Sequence, residues 1–168
     1  MDAVIELEMQ CRRAKLASRK LAYKGTAAKN LALENIASDL LSQKESILEA
    51  NAIDQLEARK AGMAPAMLDR LVLTSYGIDL IAADVRSVAK LSDPIGEIFD
   101  MRTLPNGLTI GKKRVPLGVI ATIYESRPNV TIDITALCLK SDNAVILRGG
   151  KETIYSNRAL VKTFSKAA

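Results

Sequence analysis

The sequence contains no histidine, and this absence excludes several classes of site. Ser-His-Asp and Cys-His catalysis both need an imidazole that titrates near neutral pH. Zinc sites of mixed cysteine and histidine type are excluded as well, and two cysteines are too few for a site made of four. Any chemistry in this chain therefore needs a cofactor or further sequence to supply the reactive group, and we expect no metal centre.

Cysteines and long apolar runs are also scarce. Cys11 and Cys138 lie far apart, with no CxxC motif and no N-terminal secretion signal, which favours a reducing, cytoplasmic compartment. Both fall on apolar helical patterns, so we expect two buried structural thiols and no nucleophile. No apolar run approaches the roughly 20 residues that a membrane span needs.

The residues that are present fit one soluble globular domain. The length is 168 residues, with 48% apolar and 26% charged, a balance that argues against intrinsic disorder. The net charge of +5 suits an anionic ligand. The basic cluster at 112–114 has no aromatic platform nearby in the sequence and is typical of a charged strand edge, and the first helix is rich in alanine. We therefore expect neither nucleic acid nor a membrane as a partner.

The first half of the chain follows a helical period. A stripe with three-or-four spacing predicts a helix over 2–22, which Gly25 ends. Thr26 is the predicted N-cap of a second, long helix that stops at Gly62. The residues predicted to face inward are Val4, Leu7, Cys11, Ala14 and Leu21 in the first helix, and Leu33, Ile36, Leu40 and Ile47 in the second.

Two shorter helices are predicted before residue 94. Pro65 opens the first of them, and Thr74 precedes the second, which Asp93-Pro94 ends. The residues predicted to face inward are Leu68 and Leu71, then Ile78, Ile81, Val85 and Val88.

From residue 95 the pattern indicates β-structure. Segments 98–103 and 108–115 flank Asn106-Gly107, a dipeptide that favours the left-handed dihedrals of a tight hairpin turn. The apolar runs 117–124 and 144–147 are typical of strands buried on both faces in a parallel sheet. Helical segments follow each run, which predicts a right-handed βαβ unit and a final helix.

The loops at 125–129 and 148–151 follow these two strands, at the edge where open α/β sheets bind ligands. Gly149 and Gly150 allow a tight turn with exposed N–H groups, and Arg148 and Lys151 add cations suited to phosphate. The spacing matches neither Walker A nor GxGxxG. A phosphate cradle and a solvated basic turn both remain compatible with these residues.

Two continuous stretches resemble a known family. They are VPLGVIATIYESRPNVTID at 115–133 and ALCLKSDNAVILRGGKE at 136–152, and Ser156-Asn157-Arg158 follows them. These stretches are similar to the gamma-glutamyl phosphate reductase family of the aldehyde dehydrogenase superfamily, and the helical part before residue 95 is similar too. Members are more than twice this long, so the resemblance implies an N-terminal portion.

The resemblance implies an α/β fold with a Rossmann-like parallel sheet of the aldehyde dehydrogenase type, a helical N-terminal layer and a protruding β-hairpin. Residues 1–168 would be the N-terminal part of an NADP-binding domain. The hairpin at 95–115 would be an excursion that pairs subunits into a homo-oligomer.

The implied activity is NADPH-dependent reduction of L-glutamyl 5-phosphate to L-glutamate 5-semialdehyde and phosphate in proline biosynthesis, with glutamate 5-kinase as the pathway neighbour. The nucleophilic cysteine is expected in a later segment, so the isolated chain is expected to be inactive. The alternative is a non-enzymatic nucleotide-binding or interaction module derived from the same fold.

The resemblance also implies roles for single residues. Lys151 stands where NAD-preferring relatives have a glutamate. The positive charge of Lys151 at that position favours NADPH. Asn129 would donate to an oxyanion, or else cap the following helix. Arg127 would bind the acyl phosphate, or else be an ordinary exposed loop arginine. The residues expected to bind the cofactor are Glu125, Ser126, Arg148, Gly149, Gly150 and Lys151.

Overall fold

A computed structural model describes residues 3–167, so Asp2, where the first helix is predicted to begin, lies outside the described residues. The described chain consists of a helical part, a hairpin and a small parallel sheet with its helices. The elements are α1 (Ala3–Leu21), α2 (Thr26–Ser42), α3 (Lys44–Lys60), α4 (Pro65–Leu71), α5 (Ser75–Lys90), β1 (Ile98–Thr103), β2 (Thr109–Lys113), β3 (Val119–Ile123), α6 (Asn129–Lys140), β4 (Ala144–Arg148), a 3-10 turn (Lys151–Thr153) and α7 (Ile154–Ala167).

The hydrophobic core lies where α2, α3, α5, α6 and α7 meet. Burying each large aliphatic side chain there stabilises the fold by roughly 1.5 to 3 kcal/mol. The fully or almost fully buried residues of this core include Leu33, Ile36, Leu40, Ile47, Ile78, Ile81, Val85, Ile132, Ala136 and Leu160. The inward faces predicted for the second and fourth helices are therefore confirmed, except that Val88 is only half-buried.

The predicted second helix is two helices, which is a correction. The chain breaks at Gln43, between α2 and α3, where neither glycine nor proline marks a boundary. Thr26 is also not the N-cap, because Gly25 takes that position and Thr26 is the first helical residue. The Thr26 hydroxyl instead donates to Asp93 at 2.6 Å, which links α2 to the end of α5.

Two other helix boundaries confirm the sequence signals. Gly62 has a left-handed φ of 73° just after α3, and the N–H of Met63 donates back to the carbonyl of Ala58 at 3.0 Å. Thr74 caps α5, since its hydroxyl accepts from the N–H of Gly77 at 2.9 Å.

The apolar stripe of α1 is largely exposed, contrary to prediction. Val4 and Leu7 are 62% and 54% exposed, and Cys11 is exposed as well. A helical period shows that one face is apolar, but it does not show that a neighbour within the described chain covers that face. The prediction of a buried thiol was therefore wrong for Cys11 and is confirmed for Cys138. Among residues 3–167, no helix has the length and apolar character needed to cross a bilayer.

The hairpin forms a two-stranded antiparallel sheet of its own, as predicted. Its turn differs in detail, because only Gly107 is left-handed, with φ 85°. The N–H of Gly107 donates to Leu104, and the N–H of Leu104 donates to Leu108, so the loop has three residues and not two.

The basic residues at the base of this hairpin do have an aromatic neighbour. The Phe99 ring centroid lies 5.8 Å from the Lys112 ammonium and 5.1 Å from the Arg114 guanidinium. The sequence interpretation missed this ring because Phe99 comes from the opposite strand of the hairpin.

Strands β3 and β4 pair in parallel, with α6 between them, as the βαβ prediction requires. They are not buried on both faces, and this corrects the sequence interpretation. Ile123 and Leu117, which precedes β3, are 80% and 85% exposed, and most of β4 is half-buried. Within the described residues this sheet has two strands, so few neighbours exist to cover it.

Candidate functional site

The loops that follow β3 and β4 meet, because these strands end side by side. Ile123 is paired with Arg148, and the N–H of Tyr124 donates to the carbonyl of Arg148 at 3.1 Å. We call residues 124–128 the first loop and residues 149–153 the second loop. The two loops flank the position at which open α/β sheets bind ligands.

The first loop is fastened to the second by one carboxylate. The backbone N–H and the hydroxyl of Ser126 each donate to Oε1 of Glu152 at 2.9 Å. Burial would raise the pKa of Glu152, but hydrogen bonds from its own N–H and from Ser126, together with the charge of Lys151, hold that pKa below its ordinary value. Glu152 is therefore ionised at neutral pH.

The two glycines of the second loop allow two side chains to approach the backbone closely, and they do not supply left-handed dihedrals. Neither Gly149 nor Gly150 has a positive φ. A Cβ at Gly150 would lie 2.5 Å from Oε2 of Glu152 and closer still to Oε1, and one at Gly149 would overlap the amide of Asn157. The sequence interpretation, which attributed the glycines to a tight turn, is corrected here.

A chain of hydrogen bonds runs beneath both loops. The Thr131 hydroxyl donates to Asn157 at 2.9 Å, so it must accept the 2.6 Å hydrogen bond from the Tyr124 hydroxyl. The Asn157 amide donates to the Thr153 hydroxyl at 2.8 Å, and Thr153 donates to the carbonyl of Gly150 at 3.1 Å. Each hydroxyl has a single proton, so the direction of every step is fixed.

Asn129 is the first residue of α6, and Pro128 takes the N-cap position. The alternative reading of Asn129 as a helix cap is therefore wrong. Its side-chain amide donates to Asp133 at 3.2 Å. Burial and the charge of Asp84 raise the pKa of Asp133, and the hydrogen bond from Asn129 opposes this rise.

Four of the predicted site residues are exposed at the rim of the loops. They are Glu125, Arg127, Arg148 and Lys151. The Arg148 guanidinium makes one long hydrogen bond, at 3.4 Å, to the carbonyl of Gly149. The rim thus offers three cationic side chains to an anion, and exposure alone also fits a solvated basic turn.

Sequence reasoning missed the residues that hold the start of α7. Asp54 accepts from the N–H groups of Tyr155 and Ser156 at 3.1 and 2.7 Å, and from the Ser156 hydroxyl at 2.6 Å. The amide of Asn51 donates to the same hydroxyl at 3.0 Å. A signal was available, because Asn51 and Asp54 continue the inward spacing that begins at Ile47.

A further groove lies away from the loops. It has a volume of about 680 Å³ and runs between α1, β4 and α7, where its lining includes Arg13, Ile146 and Phe164. No residue of either loop lines it. It is therefore not the crevice at the carboxyl ends of the strands.

No model of a known protein family matches the sequence. Individual proteins match closely. Gamma-glutamyl phosphate reductase of Dehalococcoides mccartyi is 61% identical over 165 residues, which cover 98% of this chain and 39% of that protein. The protein of the same name from Vibrio cholerae is 53% identical over 163 residues, covering 97% of this chain and 39% of its own length.

Solved structures agree with these matches. The crystal structure of gamma-glutamyl phosphate reductase from Thermotoga maritima has a TM-score of 0.92 at 41% identity, over 96% of this chain and 39% of the other. The Saccharomyces cerevisiae protein of that name has a TM-score of 0.88 at 34% identity, over 93% and 40%. A benzaldehyde dehydrogenase from Corynebacterium glutamicum, at 21% identity and a TM-score of 0.70 over 92% and 32%, shares the fold alone.

These matches confirm the resemblance seen in the sequence and the predicted fold class. The chain spans about two-fifths of the length of the relatives that it matches. Over nearly all of its residues, the chain is similar to the N-terminal portion of the gamma-glutamyl phosphate reductases, and it has the aldehyde dehydrogenase fold of that portion.

Proposed function

We propose that the protein carrying this chain reduces L-glutamyl 5-phosphate to L-glutamate 5-semialdehyde and phosphate, with NADPH as the reductant. The observation that carries this proposal is the 61% identity, over 98% of the chain, to a protein named gamma-glutamyl phosphate reductase. The two loops meet at the carboxyl ends of β3 and β4, the edge at which open α/β sheets bind ligands, and this supports the proposal. Glutamate 5-kinase is the proposed pathway neighbour, and the cytoplasm the proposed compartment.

The residues at the rim fit an anionic nucleotide. Arg148 and Lys151 are exposed at the rim of the two loops, and their cationic groups are donors suited to phosphate oxygens. Bound NADPH would supply a hydride to the acyl carbon, and phosphate would leave. In this scheme Lys151 favours a nucleotide with a 2′-phosphate, Arg127 binds the acyl phosphate, and Asn129 donates to the developing oxyanion.

The remaining residues of the proposed cofactor site shape the two loops beside the nucleotide. Glu125 and Ser126 belong to the first loop, and Gly149 and Gly150 leave room beside it. We assign residues 1–168 to the N-terminal part of the cofactor-binding domain.

The hairpin at 95–115 is proposed to pair with another subunit. Its strands have no partner in the described chain other than each other. Ile98, Met101, Leu108 and Val115 are each more than half exposed. Pairing with another chain would cover these apolar side chains and the free strand edges, which favours a homo-oligomer.

The activity is tested in the protein at its natural length. L-Glutamate 5-semialdehyde, phosphate and NADP⁺ are supplied, and formation of NADPH is followed by absorbance. We expect turnover that requires phosphate, and equal turnover in a control variant, Glu57→Ala, whose exposed side chain lies on α3. A folded protein without turnover would contradict the proposal and favour a non-enzymatic nucleotide-binding or interaction module.

The isolated chain is expected to show no turnover. Neither cysteine lies in the two loops, and burial raises the pKa of Cys138, which keeps this thiol protonated. Turnover by residues 1–168 alone would contradict the expectation that the nucleophile lies in a later segment.

A further inference from the structure

The carboxylate of Glu152 lies against Gly150, in the glycine turn that the sequence offers to a phosphate. We propose that Glu152 is a positioning residue that latches the first loop to the second, so that a nucleotide phosphate binds the rim cations Arg148 and Lys151 and not the glycine turn. The identity of the ligand rests on the proposed function. The latch itself rests on contacts within the chain.

The Glu152 carboxylate fills the space beside Gly150 and is held there by donors of its own. The N–H and the hydroxyl of Ser126 both donate to Oε1 of Glu152, and the N–H of Glu152 bonds to its own carboxylate. Ser126 is 1% exposed, so water competes little for these bonds. A phosphate that entered the same space would lie against an ionised carboxylate and would be repelled. The exposed cations Arg148 and Lys151, at the rim, remain suited to an anion.

The backbone of Ser126 has an unfavourable conformation at the point where the latch holds the first loop. Its φ is 48°, in the left-handed region that a serine rarely adopts. Such a conformation persists when the surrounding contacts over-determine it. Two hydrogen bonds to Glu152, a residue 26 positions away, hold Ser126 in this conformation.

Gly150 leaves the space that the latch needs. A Cβ there would lie 2.5 Å from Oε2 of Glu152, so any larger residue displaces the carboxylate. Removing the latch should let Ser126 relax to an ordinary φ. The neighbouring Arg127 would then move relative to Arg148 and Lys151, and the first loop would no longer be held in place beside the nucleotide.

The test uses the protein at its natural length with Glu152→Ala, Glu152→Gln and the control Glu57→Ala. The dissociation constant of NADPH and the thermal midpoint are measured for each. We expect Glu152→Ala to weaken NADPH binding by about tenfold, as for one lost charge-assisted hydrogen bond, without the general loss of stability that a folding defect would cause. Glu152→Gln keeps an acceptor at Oε1 and should recover most of the affinity.

The alternative is that Glu152 only repels a phosphate and does not hold the first loop. Its removal would tighten NADPH binding, so unchanged or tighter binding in Glu152→Ala overturns the latch. Hydrogen exchange of the peptide covering the first loop is measured in parallel and needs no ligand. Faster exchange in Glu152→Ala than in Glu57→Ala is expected, and equal exchange also overturns the latch. Failure of the wild type to bind NADPH, with faster loop exchange in Glu152→Ala, would reject the proposed function and leave the latch supported.

Discussion

Lys29 joins three helices through buried charges, and its loss should destabilise the chain strongly. Its ammonium lies 2.7 Å from Asp93 and 2.9 Å from Asp142, and it donates to the carbonyl of Lys140 at 3.2 Å. The side chain of Lys29 is 2% exposed, and those of Asp93 and Asp142 are 14% and 4% exposed. Substituting Lys29→Met keeps the bulk and leaves both carboxylates unpaired.

The expected magnitude follows from this burial. Removing one partner of a buried ion pair costs about 3 to 5 kcal/mol, because the remaining charge is uncompensated. For a chain of this length, each kcal/mol lowers the thermal midpoint by about 2 to 4 °C. Lys44→Met is a matched control, since Lys44 pairs with Asp79 in a partly exposed site. It should cost about 1 kcal/mol or less.

The pH dependence gives a second readout. Burial raises the pKa of Asp93, but Lys29, Thr26 and the N–H of Ile95 lower it further, so the net pKa is below its ordinary value. The unfolded state therefore binds the proton more tightly, and this contribution is present above about pH 4 and is lost as the pH falls. In Lys29→Met, the free energy of unfolding should therefore fall much less between neutral and acid pH than it does in the wild type.

Lys29 itself titrates at the opposite limit. Burial lowers its pKa, but the hydrogen bonds and charges of Asp142 and Asp93 raise it more, so the net pKa is above its ordinary value. Its contribution is present below about pH 10 and is lost as the pH rises further. Denaturant unfolding of the wild type, Lys29→Met and Lys44→Met at several pH values measures the loss of stability at both acid and alkaline pH. Equal losses in the two variants at neutral pH would refute this reasoning.

Three further predictions concern the loops, their support and the thiols. Asp54→Ala leaves three donors at the start of α7, two of them buried, without their acceptor and should lower the free energy of unfolding by about 2 to 3 kcal/mol in denaturant titrations. A loss below about 0.5 kcal/mol would contradict this role. Gly150→Ala should weaken NADPH binding as Glu152→Ala does, and the double variant should bind NADPH no more weakly than either single variant. Additive effects would contradict the idea that Gly150 acts through the position of the Glu152 carboxylate. Cys11 should react with a thiol reagent in the folded chain and Cys138 only after unfolding, as mass spectrometry of the labelled peptides would show.

Much of the fold could be predicted because apolar periodicity reports buried faces directly. Leu33, Ile36 and Ile47 were placed in the core by spacing alone, and all three are fully buried. The break at Gln43 could not be predicted, since the apolar stripe continues across it and the residue carries no boundary signal. The exposure of the apolar stripe of α1 could not be predicted either, because helical spacing identifies an apolar face but does not show which part of the protein covers it.

The candidate site was only partly predictable. The order of strands and loops places 125–129 beside 148–151, and the structure brings these segments together. The function of Glu152 depends on the left-handed backbone of Ser126, which no local pattern indicates. In the sequence, a glutamate after two glycines and a lysine is indistinguishable from a solvated charge. The contact with Ser126 emerges only when two distant loops are folded together.

The central claim is that an adenosine 2′-phosphate binds at the rim formed by Arg148 and Lys151. The measurement that tests it most directly is the ratio of the NADPH and NADH dissociation constants, in the wild type and Lys151→Glu, at two salt concentrations. Lys151 is exposed, so screening limits the expected change to about tenfold, less at high salt. We predict that Lys151→Glu weakens NADPH far more than NADH. An unchanged ratio would contradict the claim.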